Sequence, residues 1–274
     1  MGEKHRTNSG GGSRPPWKRG KHRDGKLEIG SRGLLITNSA SRKHKEAMQE
    51  CLTILREHCE SLHPEYATEG SSSASAGPVN VEEAIKRELE GNKRYFDRFV
   101  PGPCISQNLN VVHFQNEVDL PSTYVRDIFH KMLGSDPYSA RFLCRIVPYD
   151  LVCKAEGEPF TEALTALVAR EFPESQANGV VQKEEQKEYV TWSLSYGCRN
   201  SNALKRQDVL DLAVQLVGRN YRVDLRKPDK LLVVEVVKGS CGLAVISDYK
   251  AIAHFKLNIS QPRLSCEEDA KAVI

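Results

Sequence analysis

The sequence predicts a layered α/β protein, in which helices pack against β-sheets. Segments with strand patterns alternate with helical segments along most of the chain, and this order favours such an architecture. Residues 189–196 alternate apolar and polar side chains, as a half-buried strand does. Residues 231–237 and 241–246 are almost continuously apolar, which is typical of central strands covered on both faces.

The first predicted elements are a strand and two helices. Residues 33–38 predict a short buried strand, and Ser41 is a candidate N-cap for the helix that follows it. The apolar face of that helix consists of Met48, Cys51, Leu52, Leu55 and Cys59. Residues 79–99 predict a second helix, because they combine a capping pattern with an apolar face that includes Phe99.

Two strands with a helix between them come next. Residues 110–114 and 141–147 predict the strands, and Pro121 suits the first turn of the intervening helix. The elements up to this point resemble the ferredoxin-like α/β unit, although the pattern leaves one strand of that unit without a place.

The rest of the chain repeats the α/β character. Pro159 opens a helix, residues 173–188 form a polar loop, and a helix with Val209 on its inner face follows the alternating strand. Glu235 stands alone within the first apolar run. Because burying an isolated charge is unfavourable, we expect its carboxylate to be paired, hydrogen-bonded or turned outward.

The charge of the chain is uneven, although its formal net value is only +3. Residues 1–32 are rich in glycine, serine, lysine and arginine, which predicts a disordered basic arm. Residues 260–274 predict a short disordered acidic tail. A basic arm suggests an anionic partner, usually nucleic acid, and the alternative is a solvated tail without a partner.

Several functional classes find no support in the sequence. No apolar segment follows the basic residues as in a signal peptide, and no run is long enough to span a membrane, so we expect no membrane partner. The eight cysteines form no CxxC pair, which favours reduced intracellular thiols. Phosphate-binding loops, dinucleotide fingerprints and nucleophile elbows are absent, so we expect no cofactor and no catalytic residue.

The densest group of possible metal ligands also favours a structural interpretation. It consists of Cys51, His58, Cys59 and His63. The two cysteines lie on the apolar face of a predicted helix, and the spacing fits no common zinc site. We therefore expect core thiols here and no metal site.

One segment has the properties of a phosphate-binding site. Arg199 and Asn200 follow the alternating strand, and Lys205 and Arg206 lie at the start of the next helix. A helix N-terminus presents unpaired N–H groups and a partial positive charge, and arginine adds a bidentate donor. Cations at that end of a helix are unfavourable unless an anion binds, which indicates an RNA-binding role.

An alternative remains open for these residues. Asn200 or Ser201 can be the N-cap of the helix, with the cations forming a solvated face. Lys238 follows a predicted strand and is a further candidate phosphate contact, with an exposed lysine as the alternative. Arg145 and Lys154 are candidate RNA contacts as well, as an alternative location of the site.

The same segments resemble a known family. The most specific are Arg199-Asn200 with residues 206–209, residues 223–225 with Pro228, and residues 233–238. Together they resemble the THUMP domain, an RNA-binding module of tRNA-modification enzymes. Over residues 33–257 the chain is similar to one subfamily, the accessory protein for tRNA N4-acetylcytidine formation. The residues just before Arg199 are less polar than that family leads us to expect.

The resemblance implies a domain organisation. A ferredoxin-like domain is expected over residues 33–140, with a flexible insertion near residues 64–80, and a THUMP domain over residues 141–259. Such proteins grip the acceptor end of tRNA with both domains, and a separate, large RNA cytidine acetyltransferase carries out the ATP-dependent reaction.

The resemblance also implies a function. We expect a non-catalytic, tRNA-binding adaptor that presents serine and leucine tRNAs for N4-acetylcytidine formation in the D arm. The implied location is nuclear or nucleolar, with the cytoplasm as an alternative. Two rivals stay open: a general RNA-binding factor of ribosome assembly and a small RNA-modifying enzyme.

Overall fold

A computed structural model describes residues 25–40, 42–62, 98–106, 108–134, 138–173 and 189–260. The described chain forms two β-sheets, one of four strands and one of five, with helices packed on them. The predicted α/β class is therefore confirmed. In the part of the chain described here, no helix combines the length and the apolar character needed to cross a membrane.

The first sheet and its two helices form the ferredoxin-like unit that the sequence predicts. The strands are β1 (Gly33–Asn38), β2 (Phe99–Ser106), β3 (Leu109–Phe114) and β4 (Leu143–Tyr149). The helices are α1 (His44–Leu62) and α2 (Pro121–Leu133). The strand order is β2-β3-β1-β4 and every neighbouring pair is antiparallel. Apolar faces of both helices cover this sheet, and the core that they form also includes side chains of the second sheet.

Strand β2, which begins at Phe99, is the strand of the ferredoxin-like unit that the sequence pattern does not assign. The sequence placed Phe99 on the face of a helix, and that assignment is wrong: its side chain is 1% exposed in the sheet core. The rest of the predicted helix over residues 79–99, the insertion near residues 64–80 and the candidate cap Ser41 lie outside the described residues, apart from residues 98 and 99.

The second sheet combines parallel and antiparallel pairs. Its strands are β5 (Leu151–Lys154), β6 (Thr191–Arg199), β7 (Arg222–Val223), β8 (Lys230–Val237) and β9 (Ser240–Ser247), in the order β5-β9-β8-β6-β7. Its helices are α3 (Gly157–Glu171) and α4 (Arg206–Val217). Two short 3-10 helices, Tyr249–Ala251 and Ala253–Phe255, follow β9.

Strands β8 and β9 are buried on both faces, as their apolar sequences predict. Side chains of one face, such as Val233 and Ile246, join the core of the ferredoxin-like unit. Side chains of the other face, such as Val234 and Val245, pack with those of α3 and α4. The five-stranded sheet therefore lies between the first unit and its own helices.

The boundary between the two units differs from the sequence-based one. The resemblance implies a second domain from residue 141, but β4, which the sequence pattern groups with the ferredoxin-like unit, pairs with β1 from Gly33↔Tyr149 to Asn38↔Leu143. The chain passes from the first sheet to the second at Asp150. The carboxylate of Asp150 accepts a hydrogen bond from the backbone N–H of Ser122 in α2, 2.9 Å away.

Part of the segment that was assigned to the disordered arm also packs against the fold. Leu27 is 1% exposed, and its backbone N–H donates to the hydroxyl of Ser240 over 3.1 Å. The backbone N–H of Gly30 donates to the carbonyl of Val152. The packed chain therefore begins before residue 33, because Leu27 supplies an apolar side chain that the core buries.

We predict that Leu27→Ala lowers the free energy of unfolding by about 2–4 kcal/mol, since it removes a fully buried side chain. Ile29→Ala is the matched control, because Ile29 lies in the same segment and is 58% exposed. Urea titrations of both variants measure the difference. Equal stability of Leu27→Ala and the wild-type protein would show that residues 25–32 do not pack in solution.

Candidate nucleic-acid interface

Three of the predicted RNA contacts lie along one edge of the five-stranded sheet. Strands β5, β6 and β8 run in the same direction, since β9 is antiparallel to both β5 and β8 while β6 is parallel to β8. Their carboxyl ends therefore meet at one edge. Lys154 ends β5, Arg199 ends β6, and Lys238 follows the last residue of β8. We call this row the cationic edge.

Hydrogen bonds fix the backbone of this edge. The N–H of Lys238 donates to the carbonyl of Arg199 over 3.0 Å, which continues the pairing of β8 with β6. The hydroxyl of Tyr196 donates to the carbonyl of Leu204 over 2.6 Å and holds the end of the connection to α4. Asn200 and Lys238 both adopt left-handed backbone conformations, with φ of 52° and 55°.

Helix α4 starts at the same edge after the connection 200–205. Its N-cap is Lys205, with φ −86° and ψ 145°, and no side chain caps it. The alternative in which Asn200 or Ser201 caps the helix is therefore wrong. The Ser201 hydroxyl accepts a hydrogen bond from the N–H of Ala203, within the connection.

The exposed cations of this segment are available to an anion. Arg199, Asn200, Lys205 and Arg206 are all exposed. Within the described ranges, no carboxylate lies within 4.0 Å of the charged groups of Arg199, Lys205 or Arg206. The uncapped N-terminus of α4 adds unpaired backbone N–H groups. Lys154 differs, because its ammonium lies 3.8 Å from the carboxylate of Glu156.

Arg145 belongs to the other sheet, in the middle of β4. Its backbone N–H donates to the Thr37 hydroxyl over 3.1 Å, and it pairs with Asn258 in an isolated bridge. The positive charge of its guanidinium acts to lower the pKa of Glu235 in β8. Glu235 lies on the face of the second sheet that the first unit covers. The structure thus places Arg145 in the first sheet, near Glu235 of the second sheet.

Glu235 is a feature of this site whose surroundings the sequence did not reveal. Its residue is 7% exposed, and burial raises the pKa of its carboxyl group, while Arg199 and Arg145 act in the opposite direction. No hydrogen-bond donor or cation of the described chain contacts the carboxylate directly. The expectation that it is paired, hydrogen-bonded or turned outward stays a prediction: the residue is largely buried near two arginines, and neither carboxylate oxygen is among the fully buried atoms that lack a partner in the described chain.

The other titratable candidates belong to the core. Cys51, His58 and Cys59 are buried along α1, as expected for core thiols. Burial raises the pKa of Cys51 to about 12 and lowers the pKa of His58, which keeps both groups neutral near pH 7. The fourth member of this group, His63, lies outside the described residues.

Comparisons with known proteins agree with the sequence resemblance. A family model of the THUMP domain matches residues 168–246, so this chain contains a THUMP domain. The tRNA acetyltransferase TAN1 of Saccharomyces cerevisiae is 25% identical to this chain over 95% of it and 94% of the yeast protein. THUMP domain-containing protein 1 of Bos taurus is 24% identical over 88% of this chain and 67% of the bovine protein.

Among solved structures, a 4-thiouridine synthetase in complex with RNA and bound ATP matches with 12% identity and a TM-score of 0.38. The match covers 80% of this chain and 42% of the synthetase chain, so this chain corresponds to less than half of that enzyme.

We predict that Glu235→Gln leaves the protein at least as stable as the wild type at pH 7. A carboxyl group whose folded pKa is raised stabilises the fold fully only below its unfolded pKa, and this contribution is lost as pH rises through the folded pKa. The free energy of unfolding of Glu235→Gln, relative to that of the wild type, should therefore increase from about pH 4 to pH 7. Urea titrations across this range measure it. A variant clearly less stable than wild type at pH 7 would show that the arginines outweigh the burial of the charge.

Proposed function

We propose that the protein is a tRNA-binding adaptor that presents tRNA to an RNA cytidine acetyltransferase for N4-acetylcytidine formation. The observation that carries this proposal is the cationic edge of the THUMP domain, where Arg199 and Lys238 are joined by a backbone hydrogen bond next to the uncapped start of α4. Phosphate groups of RNA are the anions that best suit a row of arginines, lysines and helix N–H groups.

The chemistry of the edge supports binding rather than catalysis. Arginine and lysine side chains are cationic hydrogen-bond donors, so they suit the binding of phosphate groups. We therefore assign the acetyl transfer to a separate enzyme. The adaptor contributes by holding the tRNA in one orientation, which raises the effective concentration of the target base at the partner's active site.

The relatives support a role in tRNA modification. The yeast protein, named as a tRNA acetyltransferase, aligns along nearly its whole length with this chain. We propose that the substrates are serine and leucine tRNAs, that the acceptor end is the part bound, and that the acetylated cytidine lies in the D arm. A nuclear or nucleolar location goes with this proposal.

A second candidate function is acetyl transfer by the chain itself, which the name of the yeast relative favours. The two functions differ in one measurable respect. An adaptor needs a partner enzyme for every turnover, whereas a transferase modifies tRNA in the presence of acetyl-CoA and ATP alone.

We predict that Arg199→Ala and Arg206→Ala each weaken the binding of an unmodified tRNA transcript by about tenfold, the loss of roughly one charge-assisted hydrogen bond. Each should also flatten the salt dependence of binding, since fewer counterions are released. Arg226→Ala is the matched control. Arg226 is exposed as well, but it precedes β8 and so lies at the opposite edge of the sheet. Filter binding at several salt concentrations measures all three variants.

Equal losses for Arg226→Ala and Arg199→Ala would show that RNA binds by diffuse attraction and not at the cationic edge. Unchanged binding in the Arg199→Ala/Arg206→Ala double variant would remove this edge from the interface.

We predict that cells lacking this protein lose N4-acetylcytidine from tRNA and keep it in rRNA, because an adaptor is needed only for the substrate that it presents. Nucleoside mass spectrometry of the two purified RNA fractions, with and without the gene, measures this. Purified protein incubated with tRNA, acetyl-CoA and ATP should form no acetylcytidine. Acetylcytidine in that reaction would establish the transferase function instead, and unchanged acetylcytidine in the tRNA of the deleted cells would refute both.

A further inference from the structure

A buried carboxylate lies directly over a glycine next to the cationic edge. Gly197 of β6 is the Cα partner of Glu235 in β8. A Cβ atom placed at Gly197 would lie 2.1 Å from Oε2 of Glu235 and 2.4 Å from Oε1. The carboxylate therefore occupies the space that any larger residue at position 197 would need, and glycine is required for it to lie there.

Two arginines from different sheets act electrostatically on this carboxylate. Arg199 follows Gly197 by two residues, so its side chain leaves β6 on the same face as Glu235. Arg145 approaches from β4 of the first sheet, and its buried Nε has no hydrogen-bond partner within the described chain. Both guanidinium groups are close enough to favour the charged form of Glu235. The three charged residues therefore lie near the junction of the ferredoxin-like unit and the THUMP domain.

We propose that Glu235 is a positioning residue for RNA binding, which holds Arg145 and Arg199 on one side of the sheet junction so that both contact one RNA strand. The proposal rests on the RNA-binding function above. It adds that the first unit contributes Arg145 to the RNA-binding surface. Of the seven candidate RNA contacts, Arg145 alone lies in the first sheet.

The electrostatic reason is the repulsion between two neighbouring guanidinium groups. Without RNA, a carboxylate close to both lowers the free energy of keeping them near each other in a partly buried junction, where charges are screened less than in water. Without Glu235, the arginines separate and must be brought together again when RNA binds. This ordering reduces the affinity.

The opposite outcome follows if Glu235 is only a negative charge near the interface. Its removal would then lessen the repulsion of phosphates and tighten RNA binding. The sign of the change in affinity upon Glu235→Gln therefore decides between the two roles. If Glu235 only stabilised the fold, Glu235→Gln would lower the free energy of unfolding. We expect the free energy of unfolding of this variant to equal or exceed that of the wild type.

The test measures binding of an unmodified tRNA transcript by full-length wild-type protein and by variants of matched size. Glu235→Gln is expected to weaken binding by about tenfold. Gly197→Ala should weaken it similarly, because the new methyl group displaces the end of the flexible Glu235 side chain. Glu60→Gln, an exposed glutamate of α1, is the control and should bind like the wild type.

The Arg145→Ala variant completes the test as a double-mutant cycle. If Glu235 acts through Arg145, adding Glu235→Gln to Arg145→Ala should cause much less further loss than Glu235→Gln causes alone. Wild-type or tighter binding by Glu235→Gln, or fully additive losses in the cycle, overturns the proposal. If the wild type itself binds no tRNA, the proposed function fails with it. If Arg199→Ala weakens binding but Glu235→Gln does not, only the positioning role fails.

Discussion

The two-sided burial of the β8–β9 hairpin is the constraint on which the rest of the molecule depends. Its paired residues run without a break from Lys230↔Ser247 to Val237↔Ser240. Alternate side chains enter two different cores, one shared with the ferredoxin-like unit and one with α3 and α4. Because a shift of register by one residue would exchange the two faces, a single pairing satisfies both cores at once. The relative position of the two units is therefore fixed by the interior of one hairpin.

The candidate RNA interface is built from the end of that hairpin. Lys238 and Gly239 form its turn, and the N–H of Lys238 extends the pairing with Arg199. Glu235 lies two residues before the end of β8 on the face that the first unit covers. The pairing that builds the core thus also sets the spacing between the cations of the THUMP domain and the single candidate contact of the first sheet. Rigid elements of this kind hold charges in place at little entropic cost when RNA binds.

The sequence predicted the elements with regular patterns and missed those whose identity depends on distant partners. The apolar runs of β8 and β9 and the alternation of β6 were sufficient for their assignment. Strand β2 was missed because it contains Pro101, Gly102 and Pro103, which are rare in strands. It tolerates them as an edge strand with shifts of register. The order of elements placed strand β4 in the ferredoxin-like unit correctly, whereas the domain range implied by the resemblance placed it in the second unit.

The same distinction holds at the site. Arg199, Asn200, Lys205 and Arg206 could be singled out because a charged cluster at a strand–helix boundary is a local signal. The relation between Gly197 and Glu235 is non-local, since it depends on the pairing of β6 with β8 across intervening elements. Two local facts pointed to it without being joined: a lone acidic residue in an apolar run, and a glycine two residues before a candidate contact.

The backbone of the cationic edge carries its own argument for a binding role. Asn200 tolerates the left-handed conformation well, but Lys238 does not, and a lysine there is less favourable than glycine by about 1 kcal/mol. Gly239, the next residue in the same turn, has open space around the position of a Cβ atom. The turn thus places a charged side chain where glycine would be more stable and a glycine where a side chain would fit. This arrangement suits the proposed phosphate-binding role, which uses a cationic residue next to Arg199 and open space beside the backbone of Gly239.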